Sequence, residues 1–257
     1  MKKLIAYAAA AVLPVAAFAQ TEAKMADGSV YIFTLRNAPA AVAENAPVKQ
    51  GATVRAAGMK IDCAKGQYAS LEFSNSVIAV VRENTKFEVE QFSQQQPFKT
   101  VHSSERQLEL STLKLRLERG RLDVISKEQR AKSEFSIITR MGVFTFNAQM
   151  FSISDDGEKI SVAIAEGQAM FKSNRGKTDF VRNKQVGTIT KQTLETNFPL
   201  EISSLGIMEE KSLMRNFDDA KLVRDAVMWH FEDGKIAAKR VIFKEFFQKA
   251  PKTNLRK

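Results

Sequence analysis

Apolar and polar positions alternate along most of this chain. Ser29-Val30-Tyr31-Ile32-Phe33-Thr34-Leu35 reads as a strand, and a Pro- and Ala-rich connector follows to Pro47. Ala69, Leu71 and Phe73 then alternate with Ser70 and Glu72. Phe87 and Val89 do so with Lys86, Glu88 and Glu90, and Leu113, Leu115 and Leu117 with Lys114, Arg116 and Glu118. Phe135 and Ile137, Phe151 and Ile153, and Ile160, Val162 and Ile164 continue the series. A period of two turns one side chain inward and the next toward water, so these segments predict half-buried strands. Leu71 and Phe73 fall on the inward side. Asp155-Asp156-Gly157-Glu158 and Glu118-Arg119-Gly120-Arg121 have the chemistry of hairpin turns, and Glu166-Gly167-Gln168 predicts a further break. Short strands with turns about 8–12 residues apart predict a mainly β body, a sandwich or roll, over residues 29–196.

The period changes after Thr196. Ile207, Met208, Leu213, Met214 and Phe217 form one loose helical face. Asp218 or Asp219 can cap a second stretch that carries Leu222, Val223, Ala226, Val227 and His230 on one stripe. Gly234 predicts a break, after which Ile236, Ile242, Phe243, Phe246 and Phe247 continue among Lys and Arg. Residues 197–257 therefore predict a small, basic, helical appendage packed on the β body. The alternative is a basic amphipathic segment that touches a membrane or a partner.

The opposite end reads differently. Lys2 and Lys3 precede an apolar run from Leu4 to Phe18, which closes on Ala17-Phe18-Ala19. A positive start, an apolar stretch and an A-x-A site predict a signal peptide over residues 1–19 and an exported, periplasmic or extracellular chain. The run is shorter than the roughly 20 residues of a comfortable span, and Pro14 interrupts it, so no stable membrane span is expected. Residues 20–28 would be the mature N-terminal lead. No Cys follows the cleavage site, so a lipid anchor there is not expected.

Charge adds one detail. The 257 residues hold 39 Lys+Arg and 29 Asp+Glu, a net +10. Without Lys2 and Lys3 the excess is +8, and the residues from Lys235 onward carry +7 of it. The β body is close to neutral, which argues against a nucleic-acid footprint along one of its faces. Lys249, Lys252, Arg256 and Lys257 are the candidate surface contacts, suited to a weak, salt-sensitive meeting with an anionic surface.

Catalytic signatures are sparse. One Cys excludes an intrachain disulfide framework and any multi-Cys metal site. The two histidines are far apart: His102 lies in a polar stretch that reads as a loop, and His230 on the helical stripe. Neither has a second ligand at zinc spacing. The sequence has no G-x-S-x-G elbow, no Walker loop and no H-E-x-x-H. Asp155, Asp156 and Glu158 could form an acid–base pair, but turn chemistry already explains them. Cys63 reads as a small apolar residue at a strand end, and the 18 Phe as core. No catalytic residue, metal or cofactor is expected.

Several segments, in order, resemble a known pattern. Ala46-Pro47-Val48-Lys49-Gln50-Gly51-Ala52-Thr53-Val54 followed by Met59-Lys60-Ile61 looks like the opening of a FecR domain. Gly66-Gln67-Tyr68-Ala69-Ser70-Leu71-Glu72-Phe73-Ser74-Asn75 is similar to the family's "G-S-x-A-x-L-x-F-S-N-G", and Glu83 to Val89 to its "x-N-T-x-apolar-x-apolar". Gln91 to Phe98 looks like an insertion typical of secreted members. Leu113 to Val124 resembles "L-x-L-x-x-G-x-L-x-V", Ser133 to Thr139 "S-x-F-x-I-x-T-P", and Ile160 to Phe171 "x-V-x-V-x-E-G-x-V-x-F". The resemblance covers roughly residues 46–192. Two departures stand out: Thr139-Arg140 occupies the "T-P" position, and Phe146-Asn147-Ala148-Gln149-Met150-Phe151 keeps only the Phe of "R-G-T-x-F". The second removes a permissive turn residue and a hydroxyl.

The best-known members of that family are transmembrane regulators. They sense an outer-membrane transporter and control a sigma factor through a cytoplasmic N-terminal segment. With an export signal at residues 1–19, signalling by that route is not expected here. The resemblance implies a non-enzymatic, exported β domain that binds, senses or scaffolds an envelope protein or glycan, by edge strands or an exposed strand face. Alternatives are an envelope lipid or lipopolysaccharide carrier on a β-roll, and an enzyme acting on cell-wall glycan. N-terminal sequencing of protein from the native host should begin near Gln20. A chain beginning at Met1 would overturn the export reading.

Overall fold

The computed structural model describes residues 25–95, 101–102, 110–127, 132–232 and 235–241. The expectations for residues 1–19, and for Lys249, Lys252, Arg256 and Lys257, fall outside these. The first strands are β1 (Met25–Asp27), β2 (Ser29–Arg36), β3 (Ala40–Ala43), β4 (Ala46–Pro47), β5 (Thr53–Arg55), β6 (Lys60–Cys63), β7 (Tyr68–Phe73) and β8 (Ile78–Val81). The longer ones follow: β9 (Thr85–Gln95), β10 (Val101–His102), β11 (Ser111–Ile125), β12 (Glu134–Thr139), β13 (Gly142–Asp155) and β14 (Lys159–Ser173). The chain ends through β15 (Thr178–Arg182), β16 (Gln185–Thr190), α1 (Lys191–Glu195), β17 (Glu201–Ser204), α2 (Ile207–Ala226), β18 (Val227–Glu232) and β19 (Lys235–Arg240).

Three long strands organise the body because each changes partners halfway. The first half of β11 lies between β9 and β12, whereas Leu122–Ile125 lies between β8 and β13. β13 pairs with β12 through Gly142–Thr145 and with β11 through Met150–Asp155. β14 pairs with β16 through Lys159–Ile164 and with β15 through Gln168–Lys172. Each strand therefore serves two layers, and one apolar core fills the space between them. That core joins Phe87, Leu113, Leu115 and Phe135 of one layer to Leu71, Phe73, Val124 and Ile153 of the other. Phe135, Phe144, Phe146, Phe151 and Phe171 form a chain of ring contacts inside it, with Phe146 stacked on Phe151 at 3.8 Å between centroids.

The partner changes occur at irregular residues. Gly120 has φ +90°, and a Cβ there would lie 2.3 Å from Thr85 Cα, so only glycine lets β11 cross β9 so closely. Gly167 has φ +99°, and a Cβ would lie 2.5 Å from Ala148 Cα. The β13–β14 register slips at this point, between Ala148 and Phe151. Glu118–Arg121 and Glu166–Gln168 are thus bends inside continuous strands, not the hairpin turn and break that the sequence predicts. Glycine serves both purposes, and sequence alone does not separate them. Asp155–Glu158 is a turn as expected, closing the β13–β14 hairpin.

Further differences lie elsewhere. The Pro- and Ala-rich connector contains β3 and β4, which pair with each other, and β3 pairs with β6. α2 is one helix across Asp218 and Asp219, with Leu213, Phe217, Ala220, Val223 and Ala226 buried. His230 lies in β18, not on a helix, and the segment after Gly234 continues as β19. The backbone of His102 pairs with Met228 in a sheet of order β10-β18-β19, so it is not in a loop.

α2 and this small sheet cover the outer face of the layer built by β2, β7, β8 and β11. Tyr31, Ile78, Val80 and Ile125 form a second core there with Leu213, Phe217, Val223, Val227 and Trp229. Leu71 and Phe73 are 0% exposed, as the alternation predicts, but Ser70 and Glu72 are buried as well. Phe73 also meets Phe92 edge-to-face at 5.7 Å. Phe73→Ala should destabilise the protein by about 3–5 kcal/mol. Denaturant unfolding checks this, and an unchanged midpoint would contradict the burial.

Candidate functional site

Buried charge is concentrated where the C-terminal cover meets the roll. Asp123 is 0% exposed and accepts hydrogen bonds from Arg82 Nε at 2.6 Å and Arg121 Nε at 2.8 Å. The same Arg82 donates through Nη1 to Asp219 Oδ2 at 3.0 Å and through Nη2 to the Asn216 carbonyl at 2.8 Å. Burial works against the Arg82 charge, but the hydrogen bonds and charges of Asp123 and Asp219 outweigh it, so its pKa is raised. Glu72, also 0% exposed, accepts from Trp229 Nε1 at 3.0 Å. These groups hold α2 and β18 to the sheet. A polar hollow of about 570 Å³ opens beside them, lined by Gln67, Tyr68, Glu83 and Asn84 among others. Both of its guanidiniums, Arg82 and Arg121, are already committed to Asp123.

The other chemically suggestive residues are structural too. Asp155 is 2% exposed, and Arg140 Nε donates to both of its oxygens at 3.1 and 2.9 Å. Arg140 stands where the FecR pattern has proline, so that departure supplies the counter-ion of a buried carboxylate. Asp156 accepts from the backbone N–H groups of Lys159 and Glu158, which lowers its pKa. Among the described residues no group of three or more His, Cys, Asp or Glu is placed to hold a metal ion, and no helix is long and apolar enough to cross a membrane.

The open edge of the sheet offers a different kind of site, one the sequence did not mark. Among the described residues β17 pairs only with β16, and all four of its residues are exposed. The Leu205 N–H donates to the Lys184 carbonyl at 2.8 Å. In an antiparallel ladder the hydrogen-bonded pairs alternate, so Ser203 and Glu201 turn their backbone groups toward β16. Ile202 and Ser204 turn theirs outward. Ile202 is 41% exposed and the preceding Phe198 78%. An outward row of donors and acceptors flanked by apolar side chains is what an added strand requires.

Cys63 ends β6 with 0% exposure, as the sequence suggests. Burial, helped by the neighbouring Asp62 charge, pushes its thiol from 9.0 up to about 12. The thiol stays neutral in the folded chain, and the associated stability is present below pH 9 and lost as pH rises toward 12. Iodoacetamide at about pH 8 should leave Cys63 unmodified in the native protein and label it fully in denaturant. Rapid labelling of the folded chain, read by intact mass, would contradict this.

Comparison with known proteins bears on the roll. Two crystal structures of a candidate anti-sigma factor from Parabacteroides distasonis ATCC 8503, at 2.50 and 1.65 Å, align with 9% identity and a TM-score of 0.41. Each alignment covers 71% of this chain and 99% of the other, and likeness at that level assigns neither fold nor function. No curated protein matches. The family described as FecR protein matches residues 59–170, from just before β6 to near the end of β14. Those residues contain the bent strands β11 and β13 and most of β14, so the FecR match falls on the centre of the roll.

Proposed function

We propose that this chain is a non-enzymatic binding module of the cell envelope that takes an extended segment of another protein along β17. The outward backbone groups of Ile202 and Ser204 carry this reading. Natural proteins commonly blunt exposed edges with Lys, Pro or bulges. Glu201-Ile202-Ser203-Ser204 contains none of these, and its exposed apolar neighbour Phe198 adds a side-chain contact. A FecR domain fits a sensing or binding role, and the export pattern over residues 1–19 fits an envelope location.

A displayed library of random peptides, selected on the full chain, supplies the probe. Hydrogen exchange with a selected peptide should protect the amides of Ile202 and Ser204. Ser204→Pro removes one outward N–H and leaves the β16–β17 bonds in place, so it should weaken peptide binding about tenfold without lowering the melting temperature. Selected peptides that protect other segments, or that bind the Ser204→Pro variant equally well, would overturn the assignment.

A further inference from the structure

α2 has a second face that the roll leaves uncovered. At 3.6 residues per turn, Ile207, Lys211, Met214, Asp218 and Leu222 fall within an arc of about 80°. That arc lies opposite the buried stripe of Leu213, Phe217, Ala220 and Val223. Ile207 is 73% exposed, Leu222 62% and Met214 37%, and Lys211 and Asp218 are exposed as well. The solvent side of an amphipathic helix is usually charged or polar, whereas from Ile207 to Leu222 this one is apolar at both ends and in the middle. Asp225 shares the azimuth one turn further on, paired with Arg224 at 3.1 Å.

The order of residues on the face says what fits it. Read forward from Ile207 to Leu222, it runs apolar, positive, apolar, negative, apolar; Asp225 lies beyond the end of the reversed helix and outside the seam. Read backward, the apolar positions coincide and the charges exchange sign. Such a surface is complementary to its own reversed copy. We propose that a second copy of this chain docks here, α2 against α2, antiparallel about a two-fold axis beside Met214. Ile207 then faces the partner's Leu222, Lys211 faces the partner's Asp218, and Met214 meets the partner's Met214. By symmetry each contact but the central one occurs twice. Arg215 lies to one side of the seam, in water. Asp218 is held at present by Lys221 at 3.1 Å, an exposed i,i+3 pair of small energy that it can exchange for Lys211 of the second copy. The inference is independent of strand addition at β17, because the two surfaces share no residue.

Sedimentation equilibrium of the full chain over a range of concentrations tests it. The wild type should approach twice the mass of one chain. Lys211→Glu places two acids opposite each other, and Asp218→Lys two bases, so each variant alone should weaken association about tenfold or more. An equimolar mixture of the two should recover it, because both charged contacts of the seam then unite opposite charges. Both positions are exposed, and circular dichroism and the melting temperature report whether either variant has lost the fold. A wild type that stays monomeric up to 200 μM would overturn the proposal. So would variants that associate like the wild type, or a mixture that associates no better than its components.

Discussion

A sheet buried on both faces has nowhere to hide a polar side chain, and this constraint shapes the protein. From Ala69 to Phe73, Ile78 to Val81 and Leu122 to Ile125, every residue is buried. Glu72 and Asp123 point into that environment, where an isolated carboxylate costs several kcal/mol. Their partners come from opposite directions. Arg82 and Arg121 belong to the roll, while Trp229 belongs to the cover. Arg82 then reaches on to Asp219 and the Asn216 carbonyl of α2. Apolar area alone would let a helix slide over the sheet. Directional bonds to Glu72 and Arg82 fix where it stops, and reciprocal hydrogen bonds between Thr53 Oγ1 and the Ala238 backbone fix the far edge.

The inward half of the roll was legible because period-two alternation depends on the strand and not on its partner. Phe87, Val89, Leu113, Leu115, Leu117, Phe135 and Ile137 are all 0–1% exposed. The outward half was not. Nothing local tells Glu72 that a tryptophan 157 positions away will cover it. Val227 to His230 reads equally well as a helical stripe or as a strand, because Met228 is as apolar as the buried Val227 and Trp229 and leaves no polar alternation to see. Two glycines looked like chain reversals because a bend within a strand asks for the same positive φ as a turn. The alternation also slips by one residue between Val89 and Phe92, at an irregularity opposite Lys114 and Leu115. That too is invisible without the neighbouring strand.

The candidate surfaces escaped the sequence for a related reason. β17 has no alternation to notice, and its importance lies in being last in its sheet, a property of topology. On α2 the apolar positions split between two opposite faces, so a single helical pattern merges the buried residues with the exposed ones. Ile207 and Leu213 looked like members of one stripe, yet one is 73% and the other 4% exposed.

The separation between Glu72 and Trp229 has a further consequence, in the order of events during synthesis. A chain elongating at about 5–20 residues per second needs roughly 10–30 s to pass from one to the other. Through that interval β7 and β8 can pair and the inner core can begin to close, while the outer face of the layer remains wet and partly apolar. The carboxylates stay hydrated until the cover arrives, which postpones the cost of burying them to the final step. A nascent roll in this condition presents a flat, sticky surface of Tyr31, Ile78 and Val80. That surface closes only when α2 and the small sheet pack onto it.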